Sequence, residues 1–91
     1  MNRKHDYSVN VLKLQLEQIR QIGVAFDDQE RRLGVRRFAS PIFDGNGKKI
    51  AAIDLAGPVF RLTLDHKQHF AELVKKTAQR ISKQLGFAGG I

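Results

Sequence analysis

The sequence predicts an α+β fold in which an antiparallel β-hairpin, part of a larger antiparallel sheet, packs against two long helices. Three observations predict it: a turn cluster at Asp44–Gly47 between two runs of alternating residues, and an apolar stripe at helical spacing on either side of the hairpin in sequence. Because each helix and the hairpin carry a single apolar face, both helices are expected to cover the same side of the sheet.

The hairpin is predicted from the sequence Asp-Gly-Asn-Gly, since Asn and Gly tolerate the positive φ of tight hairpin turns. A two-residue turn at Gly45-Asn46, or a four-residue loop in the same register, would place Arg37 opposite Asp54. The predicted apolar face consists of Phe38, Ile42, Ile53 and Leu55. The other face is a floor of small residues around one Arg and one Asp, a favourable cross-strand pair that suggests a shallow polar cavity.

The first helix is predicted to begin after Ser8 as its N-cap and to stop at Gly23. Its apolar stripe consists of Val9, Leu12, Leu16 and Ile19. Val24–Phe26 is expected to be extended. Asp27 and Glu30 then stand at the spacing of a capping box, which predicts a short helical turn.

The last helix is predicted from about Asp65 to Leu85, with Thr63 or Asp65 as its N-terminal cap and Gly86 beyond its end. Its apolar stripe consists of Phe70, Leu73, Val74, Thr77, Ile81 and Leu85. Such a stripe is typical of a helix that lies with one side on a sheet.

Length and composition limit what the chain can be. At 91 residues it is at most one small domain. We expect a single partial domain over residues 1–91, with a disordered leader at 1–7 and a frayed tail at 87–91. The absence of Cys excludes disulfides, thiolate zinc sites and a Cys nucleophile. No apolar run approaches the roughly 20 residues needed to span a membrane, and the N-terminal residues do not resemble a signal peptide.

The net charge of +7 raises the possibility of nucleic-acid binding. However, the basic residues are scattered, they alternate with acidic residues along the last helix, and no aromatic residues are interleaved with them as stacking platforms. A solvated basic surface is therefore the favoured interpretation. The alternative function is a stand-alone basic α+β module that binds nucleic acid or a protein partner through an exposed strand edge.

The sequence predicts neither catalysis nor a resident metal or cofactor. No nucleophile stands beside a base, and Asp44–Gly47 is a hairpin turn rather than a phosphate-binding loop. His66 and His69 lie three residues apart, but Asp65 is the only third ligand nearby, and a solvated surface is the favoured interpretation. The chain is predicted not to be an enzyme.

Several segments together resemble the effector-binding domain of IclR-type bacterial transcriptional regulators. In chain order they are IRQIGVAFDDQE at 19–30, GVRRFASPIFD at 34–44, GNGKK at 45–49, IAAIDLAGP at 50–58, Arg61, and AQRISKQLG at 78–86. The resemblance covers about residues 12–87. Each segment alone is weakly specific, whereas all of them in order at the right spacing are fairly specific.

The resemblance implies the C-terminal half of a GAF-like effector-binding domain. Such a domain binds a small organic acid or an aromatic metabolite, and couples that binding to operator affinity in the intact protein. It further implies a cytoplasmic location, self-association, no membrane partner, and DNA contact only through a winged helix-turn-helix, which is not found among these residues.

The resemblance also implies candidate effector-binding residues: Asp27, Val35, Arg37, Asp54 and Ala56. Arg37 stands where some acid-binding members carry Cys, and Asp54 and Ala56 stand where they carry Ser. An arginine fork suits a carboxylate held by two hydrogen bonds, and Asp54 would either neutralise it or accept a hydrogen bond from a ligand hydroxyl or amine.

Two alternatives at this site stay open. Asp27 can serve as a capping residue alone. An Arg37–Asp54 pair can close a site that binds nothing. Because an unpaired buried charge costs several kcal/mol, we expect these two residues to pair in the ligand-free state under either alternative.

Overall fold

A computed structural model of the protein describes residues 17–19 and 22–89. Its elements are strand β1 (Ala25–Asp28), strand β2 (Val35–Phe43), strand β3 (Lys49–Pro58), a 3-10 turn (Leu64–His66) and helix α1 (Lys67–Gln84). The strands form one antiparallel sheet in the order β1-β2-β3.

The α+β prediction is confirmed, and the sheet gains β1 as a third strand from the segment expected to be extended. Residues 17–19 are helical, as predicted for the first helix. The rest of that prediction from Ser8 to residue 16, and the predicted leader at 1–7, lie outside the described residues. No helix in the described part of the chain is both long and apolar enough to cross a membrane.

The core lies between the sheet and α1. Phe38 is 1% exposed, and its ring centroid lies 4.9 Å from that of Phe26 on β1 and 5.8 Å from that of Phe70 on α1. The buried cluster is completed by Val24, Leu62 and Val74, and the half-buried residues packed around it include Ile53, Leu55 and Ala71. The predicted apolar face is therefore the face that α1 covers.

Helix α1 uses a slightly different face from the predicted stripe. Its buried residues are Val74, Ala78 and Ser82, whereas Leu73 and Leu85 are about half exposed. Ala78 is fully buried and has a small side chain, so the helix backbone can approach the sheet closely there. The centre of the contact is thus a small residue that a search for large apolar residues overlooks.

The start of α1 also differs from the prediction. The helix has His66 at its N-cap position, and neither Thr63 nor Asp65 caps it. Thr63 instead precedes the 3-10 turn, and its Oγ1 lies 3.1 Å from Nδ1 of His66. At the other end, Phe87 stacks on Phe43 with ring centroids 4.9 Å apart, so the packed chain extends into the segment expected to be a frayed tail.

The predicted strand register is wrong by two residues. Asp44 accepts a hydrogen bond from Gly47 N and donates its own N–H to Lys48 O, which makes a three-residue loop with Gly47 at φ +79°. A bulge then leaves Ile50 between the pairs Phe43–Lys49 and Ile42–Ala51. The loop and the bulge each shift the pairing of β3 with β2 by one residue. A shift of two preserves the faces, since side chains alternate with a period of two.

The connection between β1 and β2 is a turn and not the short helical turn predicted. Gln29 has φ +63°, a left-handed conformation that interrupts a right-handed helix. Its N–H donates to Val35 O at 3.0 Å, and its side-chain oxygen accepts from Gly34 N at 3.1 Å. The backbone thus reverses directly into β2.

Candidate effector-binding site

The sheet face that α1 leaves uncovered carries the candidate site. Strand pairing aligns Asp27, Arg37 and Ala56 across the three strands in one row. The next row consists of Ala25, Ala39 and Asp54. Because side chains alternate along each strand, these residues share the face opposite Phe38. Five of the six have short side chains, two Asp and three Ala, and Arg37 is the single long one, which leaves a depression.

Two adjoining depressions lie on this open face. The larger, about 410 Å³, is lined by Asp27, Arg31, Arg32, Val35, Arg37, Ala56, Gly57 and Pro58. The smaller, about 50 Å³, is lined by Ala25, Asp27, Arg31, Arg37, Ala39 and Asp54. They share Asp27, Arg31 and Arg37, so the structure brings all five candidate residues together around one site. The larger volume lies within the range of small-molecule sites, roughly 300–1,000 Å³.

Asp27 is the most buried charged residue of the site, with 2% of its surface exposed. Its Oδ1 accepts a hydrogen bond from Glu30 N at 2.8 Å, the bond that the capping-box spacing predicts. Its Oδ2 lies 3.8 Å from Nε of Arg31 but accepts no hydrogen bond from any described residue. Capping therefore uses only half of this carboxylate.

Arg37 has a matching deficiency. Its Nε is buried, and no described residue accepts a hydrogen bond from it. Arg37 is the cross-strand partner of Asp27, so both unsatisfied atoms belong to one row of the open face. Leaving a buried donor or acceptor without a partner costs about 1–3 kcal/mol, and more for a charged group. Such atoms are uncommon in folded proteins, and a bound water, ion or ligand can supply the missing bond.

The expected Arg37–Asp54 pair is not formed. The observed register places Asp54 opposite Ala39 and Arg37 opposite Ala56. Among the described residues the ion pairs are Arg31–Asp27 and Arg36–Asp28. Arg37 and Asp54 are diagonal neighbours, for which a separation of roughly 7–8 Å is typical. Asp54 is exposed, so its charge stays hydrated without a protein partner.

Arg36, the neighbour of Arg37 on β2, serves the opposite face of the sheet. Its Nε donates to Asp28 Oδ1 at 2.8 Å, and its Nη1 donates to the carbonyl oxygens of Val59 at 3.1 Å and Leu62 at 3.0 Å. These bonds tie β1 to the turn that follows β3. They anchor the segment that carries Pro58, one wall of the larger depression.

The pKa of Asp28 lies below its usual value. The main cause is a hydrogen bond from the Gln29 side chain at 3.1 Å, followed by the hydrogen bond and positive charge of Arg36, while burial acts in the opposite direction. Because these groups favour the ionised carboxylate, Asp28 stabilises the turn beside the site in its charged form.

The sequence interpretation missed Arg31 and Arg32 as site residues. Both lie on the turn between β1 and β2 and line the larger depression. In the sequence they form an Arg pair directly after Glu30. Because basic residues are scattered along the whole chain, this pair did not stand out. With Arg37 they place three guanidinium groups around one carboxylate in the larger depression, and this excess of positive charge favours an anionic ligand.

Other parts of the molecule offer less to a ligand. Within residues 17–19 and 22–89, no three His, Cys, Asp or Glu side chains cluster as a metal site requires. His66 and His69 instead flank the Phe70 ring at 6.4 and 5.6 Å between centroids. A concavity of about 570 Å³ beside the start of α1 is larger than the site, but neither of the unsatisfied buried atoms borders it.

Sequence comparison identifies the family. Residues 7–83, most of the chain, match the family described as bacterial transcriptional regulator IclR, C-terminal. The chain belongs to the IclR family. Its IclR-family relatives are transcriptional regulators, which confirms the prediction that the chain is not an enzyme.

Two curated relatives illustrate the match. The HTH-type transcriptional repressor AllR of Escherichia coli K12 is 44% identical over 71 residues, which are 78% of this chain and 26% of the relative. The transcriptional repressor IclR of the same strain is 40% identical over 75 residues, 82% of this chain and 27% of the relative. The chain thus spans about a quarter of the length of the curated relatives it matches.

Solved IclR-family structures share the fold. The Thermotoga maritima IclR structure aligns with a TM-score of 0.74 at 35% identity, covering 86% of this chain and 32% of that one. The C-terminal domain of the E. coli transcriptional regulator KdgR aligns with a TM-score of 0.68 at 32% identity, covering 79% of this chain and 44% of that domain. The similarity therefore extends from sequence to architecture.

Proposed function

We propose that this chain is the ligand-sensing portion of an IclR-type transcriptional regulator, and that it binds a small organic acid on the open face of the sheet. In the intact protein, binding there changes operator affinity through a coupling between two sites. The family and the regulatory role of the relatives support the class of function. The identity of the ligand as an acid rests on the site itself.

The observation that carries the proposal is the unsatisfied row Asp27–Arg37. A guanidinium group whose Nε lacks a hydrogen bond is a receptor for a carboxylate, which accepts two parallel hydrogen bonds from the arginine fork. Arg31 and Arg32 add positive charge at the same depression. Asp27, Val35, Arg37, Asp54 and Ala56 are thus proposed as effector-binding residues.

The remaining steps take place in the intact regulator. The HTH-type name of a 44% identical relative supports DNA contact through a helix-turn-helix outside the matched region. In the described part of the chain, β3 is an edge strand with its outer backbone groups unpaired within the sheet. Such an edge pairs readily with another chain, which supports self-association. A cytoplasmic location follows from a role at DNA.

A thermal-shift screen of small carboxylic acids against the intact regulator tests the proposal. A ligand at a hundredfold excess over its Kd stabilises the folded state by about 2.7 kcal/mol, which raises Tm by several degrees. Arg37→Ala should abolish the shift. Arg80→Ala, which removes the same charge from an exposed position on α1, is the matched control and should keep it.

The outcomes separate the parts of the proposal. A shift that survives Arg37→Ala removes this arginine from the site. If no acid in the screen changes Tm, the acid-binding function itself is wrong.

A further inference from the structure

The open face has an asymmetry of charge along the strands. Its basic end, in the larger depression, combines the guanidinium groups of Arg31, Arg32 and Arg37. At the opposite corner, in the smaller depression, stands the carboxylate of Asp54. Asp27, Arg31 and Arg37 lie at the boundary and line both depressions, whereas Arg32 lines only the larger one and Asp54 only the smaller one. A ligand whose carboxylate is bound by Arg37 therefore has its neighbouring group close to Asp54, the acceptor that lines only the smaller depression.

We infer that the effector carries a hydrogen-bond donor, a hydroxyl or an ammonium group, beside its carboxylate, and that Asp54 selects for this donor. The inference rests on the acid-binding function proposed above. It names the class of ligand as hydroxy acids or amino acids, and it makes Asp54 the specificity-determining residue.

The register provides the space for such a ligand. Asp54 stands opposite Ala39, and Ala39 stands opposite Ala25, so the row of Asp54 contains only methyl side chains beside it. Ala56 is the β3 neighbour of Arg37 in the adjoining row. The diagonal from Arg37 to Asp54 thus crosses a floor of alanines. Strand positions on such a diagonal are roughly 7–8 Å apart. No ion pair joins the Arg37 and Asp54 side chains, so the small depression that both residues line is left for the second polar group of a short acid.

The chemistry of Asp54 decides what the second group of the ligand must be. An ionised carboxylate accepts hydrogen bonds and donates none. A keto acid presents only acceptors next to its carboxylate, so it would meet Asp54 with repulsion. A hydroxyl or ammonium group at that position donates a bond to a charged acceptor, which is among the stronger hydrogen bonds in proteins. Asp54 is free of protein partners for this purpose, since no described residue pairs with it.

The experiment compares three acids of equal length that differ only at C2. Pyruvate carries a keto oxygen, lactate a hydroxyl and alanine an ammonium group. Each is titrated into the isotope-labelled intact regulator, and the amide signals of Ala39 and Ala56 are followed by NMR. We expect lactate or alanine to bind at least about tenfold more tightly than pyruvate, the ratio that one hydrogen bond to a charged group provides.

Asp54→Asn then tests the residue. An amide donates as well as accepts, so pyruvate should gain affinity, and the ratio should fall to about twofold or less. Asp65→Asn makes the same change at an exposed carboxylate outside the site and should keep the tenfold ratio. Both positions are exposed, so neither change disturbs the core.

The outcomes distinguish this inference from the function on which it rests. Equal binding of the three acids, lost on Arg37→Ala, overturns the role of Asp54 and leaves acid binding intact. A preference for lactate or alanine that persists in Asp54→Asn also overturns it. Absence of saturable shifts with all three acids counts against both.

Discussion

Ser82 provides the sharpest test of how α1 is joined to the sheet. Its buried hydroxyl donates to Ala78 O at 2.8 Å and accepts a hydrogen bond from Phe43 N at 2.9 Å. The second bond crosses from the helix to β2 at the site of the bulge, and it provides the Phe43 N–H with its acceptor. We predict that Ser82→Ala destabilises the protein, because it leaves this backbone donor without a partner.

The magnitude follows from the two bonds. The loss of the Ser82 bond to Ala78 O is nearly neutral, since that carbonyl keeps its helical bond, and alanine is the better helix former by up to ~0.7 kcal/mol. The loss of the acceptor for Phe43 N costs about 1–3 kcal/mol. The net effect is on the order of 1–2 kcal/mol, or a decrease in Tm of roughly 4–16 °C for a domain of this size. Thermal unfolding followed by circular dichroism measures it.

Thr77 supplies a matched control on the same helix. Its hydroxyl donates to Leu73 O at 2.7 Å, the same bond to the preceding turn, but it receives no bond from the sheet. Thr77→Ala should therefore leave Tm unchanged or raise it slightly. If both variants melt at the same temperature, the Ser82–Phe43 bond contributes nothing and the account of the helix–sheet junction is refuted.

Three further predictions follow from the fold. Ile53→Asp should unfold the chain, since it places a charge between sheet and helix. Ala51→Ser at an exposed position should change the free energy of unfolding by less than about 0.5 kcal/mol. Circular dichroism compares the two variants, and equal stability would make the face assignment wrong. The free energy of unfolding should decrease as the pH is lowered below 3.8, the usual Asp pKa, because the lowered pKa of Asp28 makes the unfolded state bind more protons than the folded state there. Urea titrations at several pH values should show a shallower decrease in Asp28→Asn. Light scattering at physiological salt should report a homodimer or larger, and a folded monomer would refute self-association through the strand edge.

Much of the fold could be predicted from the sequence, because hydrophobic period and turn chemistry are local signals. The alternation around Phe38 and Ile53 identified the covered face, and Asp44–Gly47 identified the hairpin. The register could not be predicted in the same way. The bulge lies beside Phe43, whose N–H bonds to Ser82 on the helix, and a contact between residues so far apart in the sequence leaves no local signal.

The candidate site was predictable as a set of residues but not as a set of contacts. Asp27, Arg37 and Asp54 share one face in any register that differs by an even number of residues, so their grouping survived the register error. The Arg37–Asp54 pair did not, because a shift of two moves a cross-strand partner to a diagonal. Arg31 and Arg32 lie on a turn that contains the left-handed Gln29, and the Arg pair in the sequence did not by itself indicate that these residues would reach the open face.

Arg36 and Arg37 are consecutive residues of β2 and serve opposite faces of the sheet, so the strand backbone connects the two faces. Arg37 faces the open side, while Arg36 holds the carbonyls of Val59 and Leu62 on the segment that leads into α1. A strand is stiff along its length and cannot move one of these residues without the other. A displacement of β2 that moves Arg37 toward an anion would therefore also move Arg36, and with it the segment at Val59 and Leu62 that leads into α1.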